Sequence, residues 1–388
     1  MKSRALLMIP GPIEFDHEVL QALGAPTTSH VSPDFIAVFG RALERMREVW
    51  QAPTGQPFVL AGSGTLAMDC AGANLVEPGD HALVLSTGVF GDRFEDLLSR
   101  YGAAVDVVRA PLGETIGFAL VERALRAKPY RLMTATHVDT STGVRIDVER
   151  FGTLGREFGV LTVLDGVCSV AGEEIRQEAW GLDVVLTASQ KAVGVPPGLA
   201  LLVVSAAALD AWRRRKTPVA NYYADWAKWL PIMEAYEKRV PAYFGTPAVN
   251  HVAALDVSLG QILAEGLDTR FARHRRFGAA CRAAVKALGL GQIPTSDDHA
   301  ANTMTAPTYP RGVTGSSFLP AVRSAGAILA GGLHPAIRDA HFRIGHMGAT
   351  TAGDVIATVA AVEAGLRACG HAFELGAGLT AAQAVLLG

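Results

Sequence analysis

The chain has 388 residues, more than one hydrophobic core usually supports, so a large domain and a smaller one are expected. It is 49% hydrophobic and 19% charged with a net charge of -2, which indicates a large buried core and excludes a general nucleic-acid partner, since that needs a concentrated positive surface. Cys70, Cys168, Cys281 and Cys369 make no CxxC pair or zinc spacing, the first apolar run stops at Pro10, too soon for a signal peptide, and no uncharged run reaches membrane-spanning length, so a cytoplasmic protein with no membrane partner and no bound metal is expected.

Residues 8–34 are broken by four prolines and read as an irregular arm. The spacing then predicts a helix over Pro33–Trp50. Phe58-Val59-Leu60 reads as a strand that runs into Ala61-Gly62-Ser63-Gly64-Thr65 and an apolar helix ending before Glu77-Pro78-Gly79-Asp80. A strand, a glycine turn and a helix N-terminus make an anion site, because the backbone can approach closely, Ser63 and Thr65 offer hydroxyls, and free amides lie at the positive end of the helix dipole. Residues 62–67 also fit a loose dinucleotide fingerprint, but the next strand ends in Ser86-Thr87-Gly88 with no ribose-binding acid, so a single phosphate is the better reading. Phe90 opens the following helix. It is placed either to stack on a planar ring or to staple that helix to the sheet.

Strand 104–109, helix 118–127 and strand 131–136 follow, the last emptying into His137-Val-Asp139-Thr140-Ser141-Thr142-Gly143. Next come two apolar runs, 160–164 and 184–187, joined by an amphipathic segment over Glu173–Trp180, which read as a strand, crossover, strand unit. The first run delivers Asp165 and the second leads to Lys191, so both should face one ligand crevice at the carboxyl ends of parallel strands. There are seven lysines against 28 arginines, and Lys191 precedes the apolar loop Ala-Val-Gly-Val-Pro-Pro-Gly, which offers it no acidic neighbour in sequence. Desolvation of that kind lowers a lysine's pKa and frees its amine for a Schiff base. The plainer account has Lys191 reaching solvent and Asp165 capping a helix.

Residues 199–204 read as a strand returning beside the site, followed by a helix ending in the basic run Arg213–Lys216, a charge cluster suited to a helix C-terminus. The aromatic-rich stretch 217–240 suggests a substrate-access or subunit-contact region. One long helical segment is expected from Val249 to about Leu288. Beyond it lie short strands near 303–306, 327–330 and 341–344, with helices at 316–325 and 351–368. Arg343, inside an apolar strand, needs a partner, and its planar fork suits a substrate carboxylate. From Gly370 onward the pattern is poorly informative.

Asp165-Gly-Val167, then Ser189-Gln190-Lys191 and Pro196-Pro197-Gly198, resemble the cofactor core of class V aminotransferases of fold type I, and within them the alanine/serine:glyoxylate aminotransferase family. Pro10-Gly11-Pro12, His137-x-Asp139-Thr140-Ser141-Thr142-Gly143, Tyr243-x-x-Thr246-Pro247 and Phe342-Arg343-Ile344-Gly345 match further segments, with Asp139 and Thr140 standing where the family has Glu and Ser. The resemblance implies an α/β fold with a large, mostly parallel-sheet domain and a smaller C-terminal α/β domain: an arm over 1–35, the cofactor domain over 36–250, a helical connection over 251–288 and the small domain over 289–388. It implies pyridoxal 5'-phosphate (PLP) held by Lys191 and paired with Asp165, a ring bracketed by Phe90 and Val167, and a phosphate held by Ser63, Gly64, Thr65 and Gln190. Thr140 would lie near the ring oxygen or the substrate carboxylate, with Arg343 and Gly11 on the substrate. It further implies a homodimer in which Tyr243 and Thr246 reach the neighbouring site, acting on small amino and keto acids: serine or alanine as donor, glyoxylate or pyruvate as acceptor. The alternatives are another class V reaction, such as cysteine desulfuration or a lyase, and a nucleotide-binding or structural α/β protein with no Schiff base.

Overall fold

The structure, a computed structural model, describes residues 5–388; residues 1–4, the first part of the N-terminal run judged too short for a signal peptide, lie outside the described residues. Alternating apolar runs and glycine turns build a central sheet of seven strands: β1 (Gln56–Ala61), β2 (His81–Ser86), β3 (Ala104–Arg109), β4 (Leu132–Thr136), β5 (Leu161–Asp165), β6 (Val184–Ala188) and β7 (Leu199–Val204). Their spatial order is β1-β7-β6-β5-β4-β2-β3. Strand β7 runs antiparallel to β1 and β6, and the remaining pairings are parallel. Every residue of β6 and β7 is buried, which is why both read as unbroken apolar runs: a strand covered on both faces has no polar side.

Helix α1 (Pro33–Trp50) starts where the Ser32 hydroxyl accepts from the Phe35 amide and Pro33 fills the first position. It ends with Trp50 donating its indole N–H to the Val185 carbonyl at 3.1 Å, which ties the helix to β6. Helices α2 (Gly64–Leu75) and α3 (Val89–Arg100) follow β1 and β2 and point their N-termini at the carboxyl edge of the sheet. A second core gathers Met8 from the N-terminal arm with Leu288, Phe318, Phe342, Ile344 and Leu366. The arm is therefore more ordered than its prolines suggest. Leu6–Leu7 pairs in parallel with Ala327–Ile328, and a helix capped by Asp16 spans His17–Gly24.

Other stretches add to or depart from what the sequence suggests. The amphipathic crossover over Glu173–Trp180 contains a helix at Gln177–Trp180 alone, because Glu173 is buried and its carboxylate accepts from the Asn302 backbone and side-chain amides, which pulls that stretch into a tight turn. In the aromatic stretch, Trp226, Trp229 and Tyr236 belong to a helix, Trp226–Glu237, and are at most 1% exposed, so they pack the main core instead of lining an access route. The long helix breaks at Gly266, whose φ of +82° ends Val249–Glu265 and starts Leu267–Ala287 in a new direction. The tail from Gly370 includes a helix, Ala377–Leu387, which contributes Ala382 to a core shared with Phe277 and Val355. The basic run is also more than a terminal charge cluster: the helix ends at Arg213, and Arg215 reaches across to the Asn74 and Val76 carbonyls.

Candidate active site

Asp165 is the last residue of β5 and is 2% exposed. Thr136, opposite it on β4, donates its hydroxyl to Asp165 Oδ2 at 3.3 Å, and the Val167 amide donates to Oδ1 at 2.9 Å. Burial pushes the Asp165 carboxyl up to about 6, against the pull of the Val167 amide. Among the described residues Asp165 makes no ion pair. A buried carboxylate with two neutral donors and no cation is under-satisfied, and a protonated ring nitrogen fits that vacancy in its bonding.

Lys191 lies three residues past β6 and is also buried. Its Nζ donates to the Pro10 carbonyl, so the N-terminal arm closes directly over the amine. Burial lowers the Lys191 pKa, with Cys168 and Asp165 opposing and Arg343 reinforcing. Gly11, at φ +114°, makes this approach possible: a Cβ there would overlap Lys191 Cδ and lie 2.8 Å from Cε and Nζ. The loop beyond Lys191 is clamped from behind. Arg270 donates to the Ala192 and Ala171 carbonyls, both at 2.7 Å, and the Ser258 hydroxyl donates to the Val193 carbonyl. That clamp is invisible to local pattern, because its members lie 78 and 65 residues away.

At the start of α2, Ser63 is exposed and its hydroxyl makes no capping bond, while Gly64 is so close to Val167 that a Cβ would come within 2.7 Å of Val167 Cγ2. The helix end thus keeps free amides and a free hydroxyl beside the Asp165 turn, a cradle that fits a phosphate. The buried Gln190 Oε1 has no hydrogen-bond partner. At the start of α3, Arg93 donates to the Thr65 hydroxyl at 3.0 Å, and its guanidinium carbon lies 4.8 Å from the centre of the Phe90 ring. Asp139 holds this corner. Its carboxylate accepts from the Phe90 amide at 2.9 Å, the Gly91 amide at 3.2 Å, and the Ser141 amide and hydroxyl, and Ser141 in turn accepts from the Val89 amide at 3.0 Å. Ser141 and Thr142 therefore do fix the turn, and Asp139 is the residue whose weight the sequence understates: it caps α3 from a different strand connection.

Arg343 anchors its fork on backbone, Nε to the Gly331 carbonyl at 2.8 Å and Nη1 to the Thr140 carbonyl at 3.1 Å. Burial lowers its pKa, opposed by Cys168 and Asp139, and among the described residues it makes no ion pair. Cys168 is 2% exposed, and burial raises its thiol pKa, which leaves it unlike the exposed, reactive thiolate that desulfuration needs. The structure brings Asp165, Val167, Gln190, Lys191, Gly11, Thr140 and Arg343 to one edge of the sheet together with Ser63, Gly64, Thr65 and Phe90. Tyr243 is 63% exposed, and Thr246 is exposed as well; the Tyr243 ring packs 5.2 Å from that of His30.

A parallel sheet with one reversed strand, and a buried acid and lysine on adjacent strand ends, define a transferase of fold type I. The chain matches the class-V aminotransferase family over residues 15–361, and it belongs to that family. It is 40% identical over 362 residues to alanine–glyoxylate aminotransferase 1 of Saccharomyces cerevisiae, covering 90% of this chain and 93% of the relative. Among solved structures, ureidoglycine–glyoxylate aminotransferase from Bacillus subtilis superposes with a TM-score of 0.93 at 26% identity, covering 100% of this chain and 99% of the other. Alanine–glyoxylate aminotransferase from Nostoc sp. superposes at 0.88 with 32% identity, covering 95% and 96%.

Proposed function

We propose that this aminotransferase moves the amino group of a small amino acid, serine or alanine, to glyoxylate or pyruvate, with PLP as cofactor. The observation that carries this reading is the buried pair Asp165 and Lys191 at adjacent strand ends, with the half-buried Arg343 at the same edge of the sheet. The three relatives named above support glyoxylate as the shared acceptor; two are named for alanine as donor and the third for ureidoglycine.

When bound, PLP supplies an aldehyde that takes up amines and a ring that draws electron density from the amino acid's α-carbon. Lys191, with its pKa lowered by burial, is the base that would take and return the proton at that carbon. Asp165 would hold the proton on the ring nitrogen, Phe90 and Val167 would bracket the ring, and Ser63, Gly64, Thr65 and Gln190 would hold the phosphate. Arg343 and Gly11 orient the substrate carboxylate, and Thr140, whose carbonyl steadies Arg343, lies beside it. In the homodimer of this reading, Tyr243 and Thr246, both exposed, would meet the site of the second copy. Unpaired cysteines fit a cytoplasmic setting, and among the described residues no helix is long and apolar enough to cross a membrane. Steady-state rates with a panel of amino donors against glyoxylate and pyruvate test the reading. Turnover of serine or alanine with glyoxylate is expected; release of ammonia or sulfide without a new amino acid would replace it with a lyase or desulfurase.

A further inference from the structure

Arg93 is not among the residues that the phosphate-binding turn brings to mind, since it lies on the next helix. Yet α3 begins beside α2, and Arg93, one turn into α3, donates to the hydroxyl of Thr65, the second residue of α2. The cation therefore lies within one side chain of the amides and hydroxyls that make the anion cradle. Among the described residues Arg93 makes no ion pair, although Asp92 and Glu95 stand close to it in sequence. Both of those acids are instead taken up by Arg109 on β3, at 2.8 and 3.2 Å. The flat face of Phe90, 4.8 Å away, holds the guanidinium and leaves its donors free at the edges. A partly buried cation, braced by an aromatic ring and kept from its own acidic neighbours, is a group reserved for an anion.

We infer that Arg93 is a phosphate-binding residue of the cofactor site, adding a charged, planar donor to a cradle otherwise made of neutral amides and hydroxyls. The inference rests on the proposed use of PLP. It explains how a helix N-terminus without a lysine or arginine in its own turn can hold a doubly charged phosphate. It also makes Arg93 a discriminator between phosphorylated and unphosphorylated forms of the cofactor.

The test uses the purified full-length protein, stripped of cofactor and titrated separately with PLP, with pyridoxal, which lacks the phosphate, and with inorganic phosphate as a competitor of PLP. In Arg93→Gln the PLP dissociation constant is expected to rise about 10- to 100-fold, the loss of one or two charge-assisted hydrogen bonds, while that for pyridoxal stays within about twofold. Inorganic phosphate should weaken as a competitor by the same factor as PLP. Arg93→Lys, which keeps charge and loses the fork, should fall between. Equal weakening of PLP and pyridoxal, or no weakening of either, would overturn the inference and leave Arg93 as a brace between two helices. If Arg93→Gln fails to fold, Arg93→Lys carries the test: weaker PLP and inorganic phosphate with pyridoxal unchanged supports the inference, and equal weakening of PLP and pyridoxal, or none, overturns it. Failure of the wild-type protein to bind PLP at all would instead sink the cofactor reading on which this rests.

Discussion

The Nζ of Lys191 donates to the carbonyl of Pro10, 181 residues earlier in the chain. A reactive amine placed at a strand end needs water kept away from it, and the sheet edge alone does not do that. The arm does, by laying a proline-flanked glycine across the lysine. The carbonyl also gives the amine a neutral partner, so it is desolvated without being paired to a charge.

Removal of that amine should cost chemistry and not the fold. Lys191→Ala is expected to lose covalent attachment of the cofactor, read as the absence of a borohydride-fixed adduct by mass spectrometry. Its melting temperature should stay close to that of the wild type. Wild-type transamination rates in the variant would end the assignment.

Asp165 yields a pH prediction for the cofactor-free protein. Its folded pKa of about 6 lies above the ordinary value of 3.8, so the folded state binds the proton more tightly than the unfolded chain. The cost of its buried charge is absent below about pH 3.8, grows as pH rises, and is fully present above about pH 6. Asp165→Asn removes that cost, so without cofactor the variant should be more stable than wild type at pH 8, by up to about 3 kcal/mol, with the gap closing by pH 4. Denaturant titration at the two pH values checks this, and an equal difference at both would reassign the carboxyl's surroundings. The same variant should bind PLP more weakly.

Arg343→Lys keeps the charge and loses the planar contact. If the fork holds the substrate carboxylate, kcat/KM should fall for both amino and keto acid, by about 1–3 kcal/mol in transition-state binding, with cofactor affinity unchanged. A lower melting temperature with kcat/KM intact would mark it as a structural residue held by Gly331 and Thr140.

Asp139→Asn keeps the shape but sets an amide donor against backbone donors at the start of α3. The variant should lose about 1–3 kcal/mol of stability in urea titration, because at least one of the Phe90, Gly91 and Ser141 amides loses its acceptor. An unchanged midpoint would show that the corner holds without it.

Gly11→Ala should act on the arm. The residue has φ +114°, which an alanine adopts at a cost of about 1–3 kcal/mol, and the new methyl would press on the Lys191 side chain. Slower cofactor attachment and lower kcat/KM are expected, together with a loss of about 1–3 kcal/mol of stability in urea titration. An unaltered attachment rate would show that the arm does not press on Lys191.

The central sheet and the charged residues at its edge were readable from the sequence. Strands such as Leu199–Val204 are legible because burial on both faces demands an unbroken apolar run, and Asp165 and Lys191 are conspicuous because charged groups at the ends of such runs are costly without a task. The strand, glycine turn and helix start over residues 58–65 were legible too, since glycine and hydroxyl residues between an apolar run and a helix mark the turn. Tertiary structure alone decided what reaches those groups from elsewhere in the chain. Pro10 over Lys191, Asp139 capping α3, Arg270 clamping the Ala192 carbonyl and Arg93 beside Thr65 are contacts between residues that no local period connects. The aromatic stretch shows the same limit from the other side: Trp226, Trp229 and Tyr236 share one buried face in the folded chain, while Tyr222 next to them is 74% exposed. Composition cannot separate them, because an aromatic side chain serves a core and a surface contact equally well, and only the packing partner distinguishes the two.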